Sequence, residues 1–251
     1  MKHLLLIIGL ALVLGGTRAA PLVDPPTAEA AFPGVNGKIA FTKVLPGNYE
    51  IYTMNPDGSE QKNITNNPAA DASGRWSADG TRMVFTSSRG GFGGIYVMRA
   101  DGTEPRRLTN HTAIDRSPAW SPDGSKVAFV SARAGDRDVY LVRVDDGRLE
   151  RLTIDAHATN DMPRWSPNGS YIAVQTDRDN YDIQLVRVAD HERRTVAGTP
   201  AYDGQFSWSP SSGQLAFISG RDGFDAVYVT DLMGKQRRLT TTPSLNPEWS
   251  P

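Results

Sequence analysis

Three aspartates, Asp71, Asp115 and Asp203, each stand five residues ahead of a tryptophan, and Asp161 stands four ahead of another. Carboxylates gathered by such a repeat repel one another. A loosely held hard cation such as Ca2+, or a basic segment of a partner, would relieve that repulsion. The competing expectation is local, with each aspartate capping its own turn by accepting backbone N–H groups. His111 and His157 lie nine and eight residues ahead of their tryptophans, in equivalent loops. Two such histidines would share a metal or grip an anionic ligand if they met, and are otherwise plain loop residues. Arg89, Arg133 and Arg221 each close a Ser-x-Arg group, and Arg178 follows Thr176. A planar guanidinium suits a carboxylate partner, and Asp138, Asp182 and Asp225 of the same repeats are the expected ones.

Familiar catalytic patterns are missing. The chain has no G-x-S-x-G, no H-E-x-x-H and no glycine-rich loop opening a helix. It has no cysteine, which excludes disulfides, thiolate metal sites and a cysteine nucleophile. A net charge of −1 without any basic run gives nucleic-acid binding no electrostatic support.

The elements that must position these residues follow from one repeat. All five tryptophans, Trp76, Trp120, Trp165, Trp208 and Trp249, recur at spacings of 44, 45, 43 and 41 residues. That period is the signature of a propeller blade of four strands. The clearest copy is residues 117–153. Pro118-Ala119-Trp120 predicts a first strand and Asp123-Gly124 a tight turn, glycine tolerating the positive φ such turns need. Equivalent turns are expected at Asp79-Gly80, Asn168-Gly169 and, worn, Ser212-Gly213. The second strand, Lys126 to Phe129, is apolar at contiguous positions, so both its faces are covered. A third strand around Tyr140, an Asp146-Gly147 turn and a short fourth strand ending Leu152-Thr153 complete the unit. The fourth copy reads Arg193-Arg194-Thr195-Val196 where the others have Leu-Thr. The fold class is all-β.

The unit P-x-W-S-P-D-G-x-x-[IV]-A-F-x-S, then [DE]-[IV]-Y, D-G and R-L-T, resembles the WD-repeat-like propeller repeat of the TolB family. The resemblance covers residue 36 onward. It implies a β-propeller secreted to the periplasm or beyond, acting by binding. The family's own namesake carries an α/β domain before a six-bladed propeller, whereas a leader of about fifteen residues is expected here. Five repeat units are visible, the first without its tryptophan strand, and residues 247–251 begin another. Two architectures remain open, a closed five-bladed ring in which residues 247–249 join the first unit, or a six-bladed propeller with its last blade truncated.

Lys2 and His3 precede an apolar run from Leu4 to Leu14 and a small-residue exit, the pattern of a secretory signal peptide. The division is therefore signal peptide 1–19, leader 20–34 and propeller 35–251. The expected protein is periplasmic or extracellular, monomeric, without a membrane span after cleavage and without a cofactor beyond weak Ca2+. It binds a protein or other cell-envelope component through one propeller face, with Asp71, Asp115, Asp161, Asp203, His111 and His157 at a channel mouth. The rival readings are a glycan-active, lyase-like propeller with a channel metal, and a fragment of a larger propeller protein.

Overall fold

The structure is a computed structural model that describes residues 37–154, 158–177 and 181–250. The expected signal peptide and leader, His157 and Arg178 lie outside the described residues.

Among the described residues every regular element is a strand, and the strands form five antiparallel sheets in chain order. The first holds β1 (Ile39–Leu45), β2 (Asn48–Met54) and β3 (Lys62–Asn63). The second holds β4 (Asp71–Trp76), β5 (Arg82–Ser87), β6 (Gly94–Arg99) and β7 (Arg106–Arg107). The third holds β8 (Asp115–Trp120), β9 (Lys126–Ala134), β10 (Asp136–Arg143) and β11 (Leu149–Arg151). The fourth holds β12 (Asn160–Trp165), β13 (Tyr171–Thr176), β14 (Asp182–Arg187) and β15 (Arg193–Ala197). The fifth holds β16 (Asp203–Trp208), β17 (Gln214–Ser219), β18 (Ala226–Asp231) and β19 (Gln236–Arg238). Within each sheet every strand pairs with its neighbours in sequence, the meander of a propeller blade.

The core lies between sheets. Each of the four buried apolar clusters joins two successive sheets. Ile51 and Ile64 of the first meet Met83, Phe85 and Met98 of the second. Val84 and Ile95 meet Trp120, Val127 and Phe129. Ala128, Val130 and Leu141 meet Ile172, Val174 and Val186. Ile183, Leu185 and Val196 meet Phe206, Trp208 and Phe217. This is why the second strands read as unbroken apolar runs: both of their faces are buried, Val127 through Val130 completely. Close approach between sheets also dictates one glycine. Gly102 has φ +91°, and a Cβ there would lie 2.2 Å from the Ile64 carbonyl oxygen of the preceding sheet.

The W-S-P-D-G motif is a hydrogen-bonded corner. The serine after each tryptophan accepts the N–H that opens the second strand, at 2.9–3.0 Å for Ser77, Ser121, Ser166 and Ser209. Asp79, Asp123 and Asn168 accept the N–H two residues on, each at 3.0 Å. In the fifth sheet the corner sits one residue earlier than expected. Ser212, with φ 62°, occupies the glycine's place, and Gly213 follows it. The Leu-Thr ending has an equally local reason. The hydroxyls of Thr65, Thr109, Thr153 and Thr240 accept the N–H of Ile51, Ile95, Val139 and Val227 on the third strand, at 2.9–3.0 Å. The fourth sheet does without that threonine because β15 is longer and pairs Ala197 with Ile183.

Among the described residues, 247–249 form no strand, so the expected pairing with the first unit is not seen, and the Pro247 carbonyl accepts from the Ser207 hydroxyl of the fifth sheet.

A candidate binding face and its buried ion pairs

Asp71, Asp115 and Asp203 are the first residues of β4, β8 and β16, and all three are buried. Each meets the arginine found 18 residues later in its own sheet. Arg89 reaches Asp71 at 2.6 Å and Arg221 reaches Asp203 at 3.0 Å. Arg133 lies 2.9 Å from both oxygens of Asp115. The same guanidinium groups donate from Nε to Ser87, Ser131 and Ser219, at 3.0, 3.0 and 2.6 Å. They also stack on rings of the second and third strands, Phe129 and Tyr140 for Arg133, and Phe217 and Tyr228 for Arg221.

So Arg89, Arg133 and Arg221 pair with the aspartates that open the first strand, and Arg133 and Arg221 do not take Asp138 and Asp225. Asp138 has a different partner, Arg151 of the outer strand, with its Nε at 3.1 Å and Nη2 at 2.5 Å, together with the Thr153 hydroxyl at 2.8 Å. The signal missed in the sequence was the constant spacing of 18 between aspartate and arginine in three repeats. Its physical basis is the register: Asp71 faces Ser87 and Asp115 faces Ser131, so an arginine two residues further folds back over the carboxylate.

Asp161 is not equivalent to the other three. Asn160 takes their register position, at the start of β12, facing Thr176. It accepts from Arg193 at 3.1 Å and donates to Asp138 of the third sheet at 3.3 Å. Asp161 instead turns toward the preceding sheet, where Arg116 pairs with it at 2.5 Å and the Ser117 hydroxyl lies 3.4 Å away. The four carboxylates therefore do not form one acidic ring. Each has a cationic partner, a donor set already neutralised and poorly matched to Ca2+. His111 is exposed, and its Nδ1 accepts the Ala113 N–H at 2.9 Å, which makes it a turn residue. Among the described residues no three His, Cys, Asp or Glu side chains are grouped to hold a metal ion.

Burial and pairing pull the Asp71 carboxyl in opposite directions. Desolvation raises its pKa, outweighing the Ser87 and Arg89 hydrogen bonds that lower it. The corner aspartates show the reverse. The Ser77 hydroxyl and the Thr81 N–H hold Asp79 down at about 2, from 3.8, and the Ser121 hydroxyl lowers Asp123 in the same way. A folded-state pKa below the unfolded one stabilises the fold above the unfolded pKa and is lost as pH falls through the folded value. The corners should therefore weaken between about pH 4 and pH 2. Asp79→Asn should flatten that part of the stability–pH curve in urea titrations, and an unchanged slope would show that the corner does not bind the charged form. The fourth copy already has the amide, Asn168.

The tryptophans join the sheets. The indole N–H of Trp120 donates to the Arg75 carbonyl at 3.0 Å, that of Trp165 to Ala119 at 3.2 Å and that of Trp208 to Arg164 at 3.0 Å. Each acceptor is the residue just before the previous sheet's tryptophan. Trp76 and Trp249 are half-buried.

A profile of the Tricorn protease N-terminal beta propeller domain matches residues 91–207. A TolB homologue from Chlorobium luteolum is 39% identical over 54 residues, covering 22% of this chain and 12% of that protein. TolB from Acinetobacter baumannii superposes with a TM-score of 0.68 at 19% identity, over 86% of this chain and 55% of that one. The repeats are similar to those of TolB-type β-propellers. Oligogalacturonate lyase from Vibrio parahaemolyticus shares the fold, with a TM-score of 0.67 at 14% identity over 87% of this chain and 68% of that chain. The chain spans about half the length of the TolB structure it matches.

The meander sorts the loops of the TolB-type repeat by end. Connections from second to third strand, and from fourth strand to the next sheet, lie at the end where Asp71, Asp115 and Asp203 enter. First-to-second and third-to-fourth turns lie at the other. The entry end carries Phe92, Ile114, Ile154 and Tyr202, exposed by 52%, 65%, 70% and 38%. Ile114 packs beside Gly93, so it adjoins Phe92, and the Tyr202 ring lies 5.9 Å from that of Tyr181. The opposite end is made mostly of compact Asp-Gly and Asn-Gly corners, with Met233 its one large exposed apolar side chain among the described turns there. No helix among the described residues is long and apolar enough to cross a membrane.

Proposed function

We propose that this protein is a non-enzymatic binding propeller that works in the periplasm or outside the cell, holding a protein or other envelope component against its entry end. The observation that carries this reading is the exposed apolar set Phe92, Ile114, Ile154 and Tyr202, contributed by three successive inter-sheet connections and one neighbouring loop. Apolar side chains collected on one end of a monomer mark an interaction surface. The signal-like N-terminus and the TolB-type repeats support an envelope location. The buried Asp–Arg pairs hold the rim rigid, so the loops present a preformed surface and little ordering cost is incurred on binding.

The test is capture from an envelope extract by the immobilised protein lacking residues 1–19, compared with Phe92→Ser/Ile114→Ser at the entry end and Met233→Ser at the opposite end. The specifically captured component should drop at least tenfold with the first variant and persist with the second. Equal capture by all three forms, or loss only with Met233→Ser, would refute the assignment of the face.

A further inference from the structure

At the corner end, opposite the apolar face, a cavity of about 340 Å³ opens between the second and third sheets. Its floor is aliphatic, since Val97, Met98 and Val144 line it and are buried. Its rim is basic. Arg82 at the start of β5, Arg99 at the end of β6 and Arg106 at the start of β7 line it, with Glu104 the one carboxylate among its described lining. Three guanidinium groups against one carboxylate give this lining two positive charges, in a chain whose formal charge is −1.

Two of the three arginines are braced by the neighbouring sheet. Arg82 donates from Nη2 to the Gly124 carbonyl at 3.0 Å, and its guanidinium lies 4.9 Å from the centre of a Trp120 ring. Arg106 donates from Nη2 to the Val144 carbonyl. Both acceptors are neutral, so each guanidinium has N–H groups left for an anion. Arg99 differs in already having Glu104 at 3.0 Å. The corner carboxylates around the cavity are turned to hydroxyls of their own turns, Asp79 to Ser77, Asp101 to Thr103 and Asp123 to Ser121, at 2.5–2.6 Å.

The blade repeat does not require this lining. The corresponding junction of the third and fourth sheets holds a cavity of about 240 Å³ whose lining has one cation and one carboxylate, Lys126 and Asp123. Lys126 opens β9 as Arg82 opens β5, and Glu150 faces Leu141 as Arg106 faces Val97. The position is thus acidic in the third sheet, where Glu150 lies 2.7 Å from Nε2 of His191 in the fourth. The basic cavity belongs to one junction and not to the repeat.

We propose that this cavity is a docking site for an acidic segment of a partner protein, independent of the entry end. A glutamate side chain matches it by chemistry, with two methylenes for the aliphatic floor and a planar carboxylate for the forks of Arg82 and Arg106. Phosphate has the charge and lacks the methylenes. Guanidinium groups braced before the partner arrives lose little freedom on binding, which favours a contact that would be weak between mobile surface charges.

The test is fluorescence anisotropy of a labelled Gly-Glu-Glu-Glu-Gly peptide titrated with the full chain. Affinity should fall at least tenfold with Arg106→Gln and stay within twofold with Lys126→Gln, which removes the cation of the neighbouring cavity. Glu104→Gln takes away the lining's own carboxylate and should tighten binding at least threefold, a gain that a misfolded variant cannot imitate. The matching Gly-Gln-Gln-Gln-Gly peptide should bind at least tenfold more weakly. Phe92→Ser/Ile114→Ser should bind the acidic peptide as the parent does, which keeps this result separate from that for the entry end. No measurable binding, equal binding of the two peptides, equal losses with Arg106→Gln and Lys126→Gln, or no gain with Glu104→Gln would each overturn the proposal. Inorganic phosphate that displaced the labelled peptide as well as unlabelled peptide does would also overturn it, by showing a site for any oxyanion.

Discussion

Arg133→Met should cost this protein about 3–5 kcal/mol, because the Asp115 carboxylate stays behind, buried and without its cation. Asp115 is 2% exposed, and both of its oxygens are within 2.9 Å of the arginine. Methionine replaces the arginine's contact with the Phe129 and Tyr140 rings well enough that lost packing is the smaller part. Against a typical stability of about 5–15 kcal/mol, that single loss is large. The double replacement Arg133→Met/Asp115→Leu should recover most of it, since an apolar pair of similar volume removes the desolvation cost from both sides. Urea titration of the three forms separates the effects. A single mutant within about 1 kcal/mol of the parent would mean that water reaches Asp115 and that the pair is a surface feature.

Trp208→Ala should have an effect of the same size, about 3–5 kcal/mol, for a different reason. Trp208 is 7% exposed and packs with Leu215 and Phe217 of its own sheet and Ile183 and Leu185 of the fourth. Its removal opens a cavity between two sheets that are otherwise stiff, and it deletes the indole bond to the Arg164 carbonyl. Trp208→Phe divides these contributions. It retains most of the packing and gives up the bond, so its cost should be nearer about 1–2 kcal/mol. If phenylalanine proved as damaging as alanine, the hydrogen bond rather than the cavity would govern the junction. If both were mild, the fourth and fifth sheets would be held by something other than this contact.

The repeat could be read directly from the residues because its determinants are local. A tryptophan every 41 to 45 residues, Asp-Gly corners and apolar second strands each act within a few residues of chain. The contiguous Val127 to Val130 run already implied a strand covered on both faces. Corner chemistry was legible at Asp79, Asp123 and Asn168, and slipped by one residue at Ser212, where a serine takes the left-handed conformation and glycine stands beside it.

What joins the repeats was decided only by the tertiary structure. The indoles of Trp120, Trp165 and Trp208 each bond a carbonyl 44 to 46 residues away, and Asp161 meets Arg116 across 45. No property of the isolated residues distinguishes those partners from others of the same type. The candidate site changed most for this reason. Asp71, Asp115, Asp161 and Asp203 share nearly one register in the sequence, which suggested carboxylates gathered at a channel mouth. Strand pleat separates them: successive side chains point to opposite faces, so Asp161, one residue beyond Asn160, projects toward its neighbour sheet while the other three turn inward. In a low-dielectric interior a buried carboxylate is held by the nearest cation, and only the register between two strands determines which arginine that is.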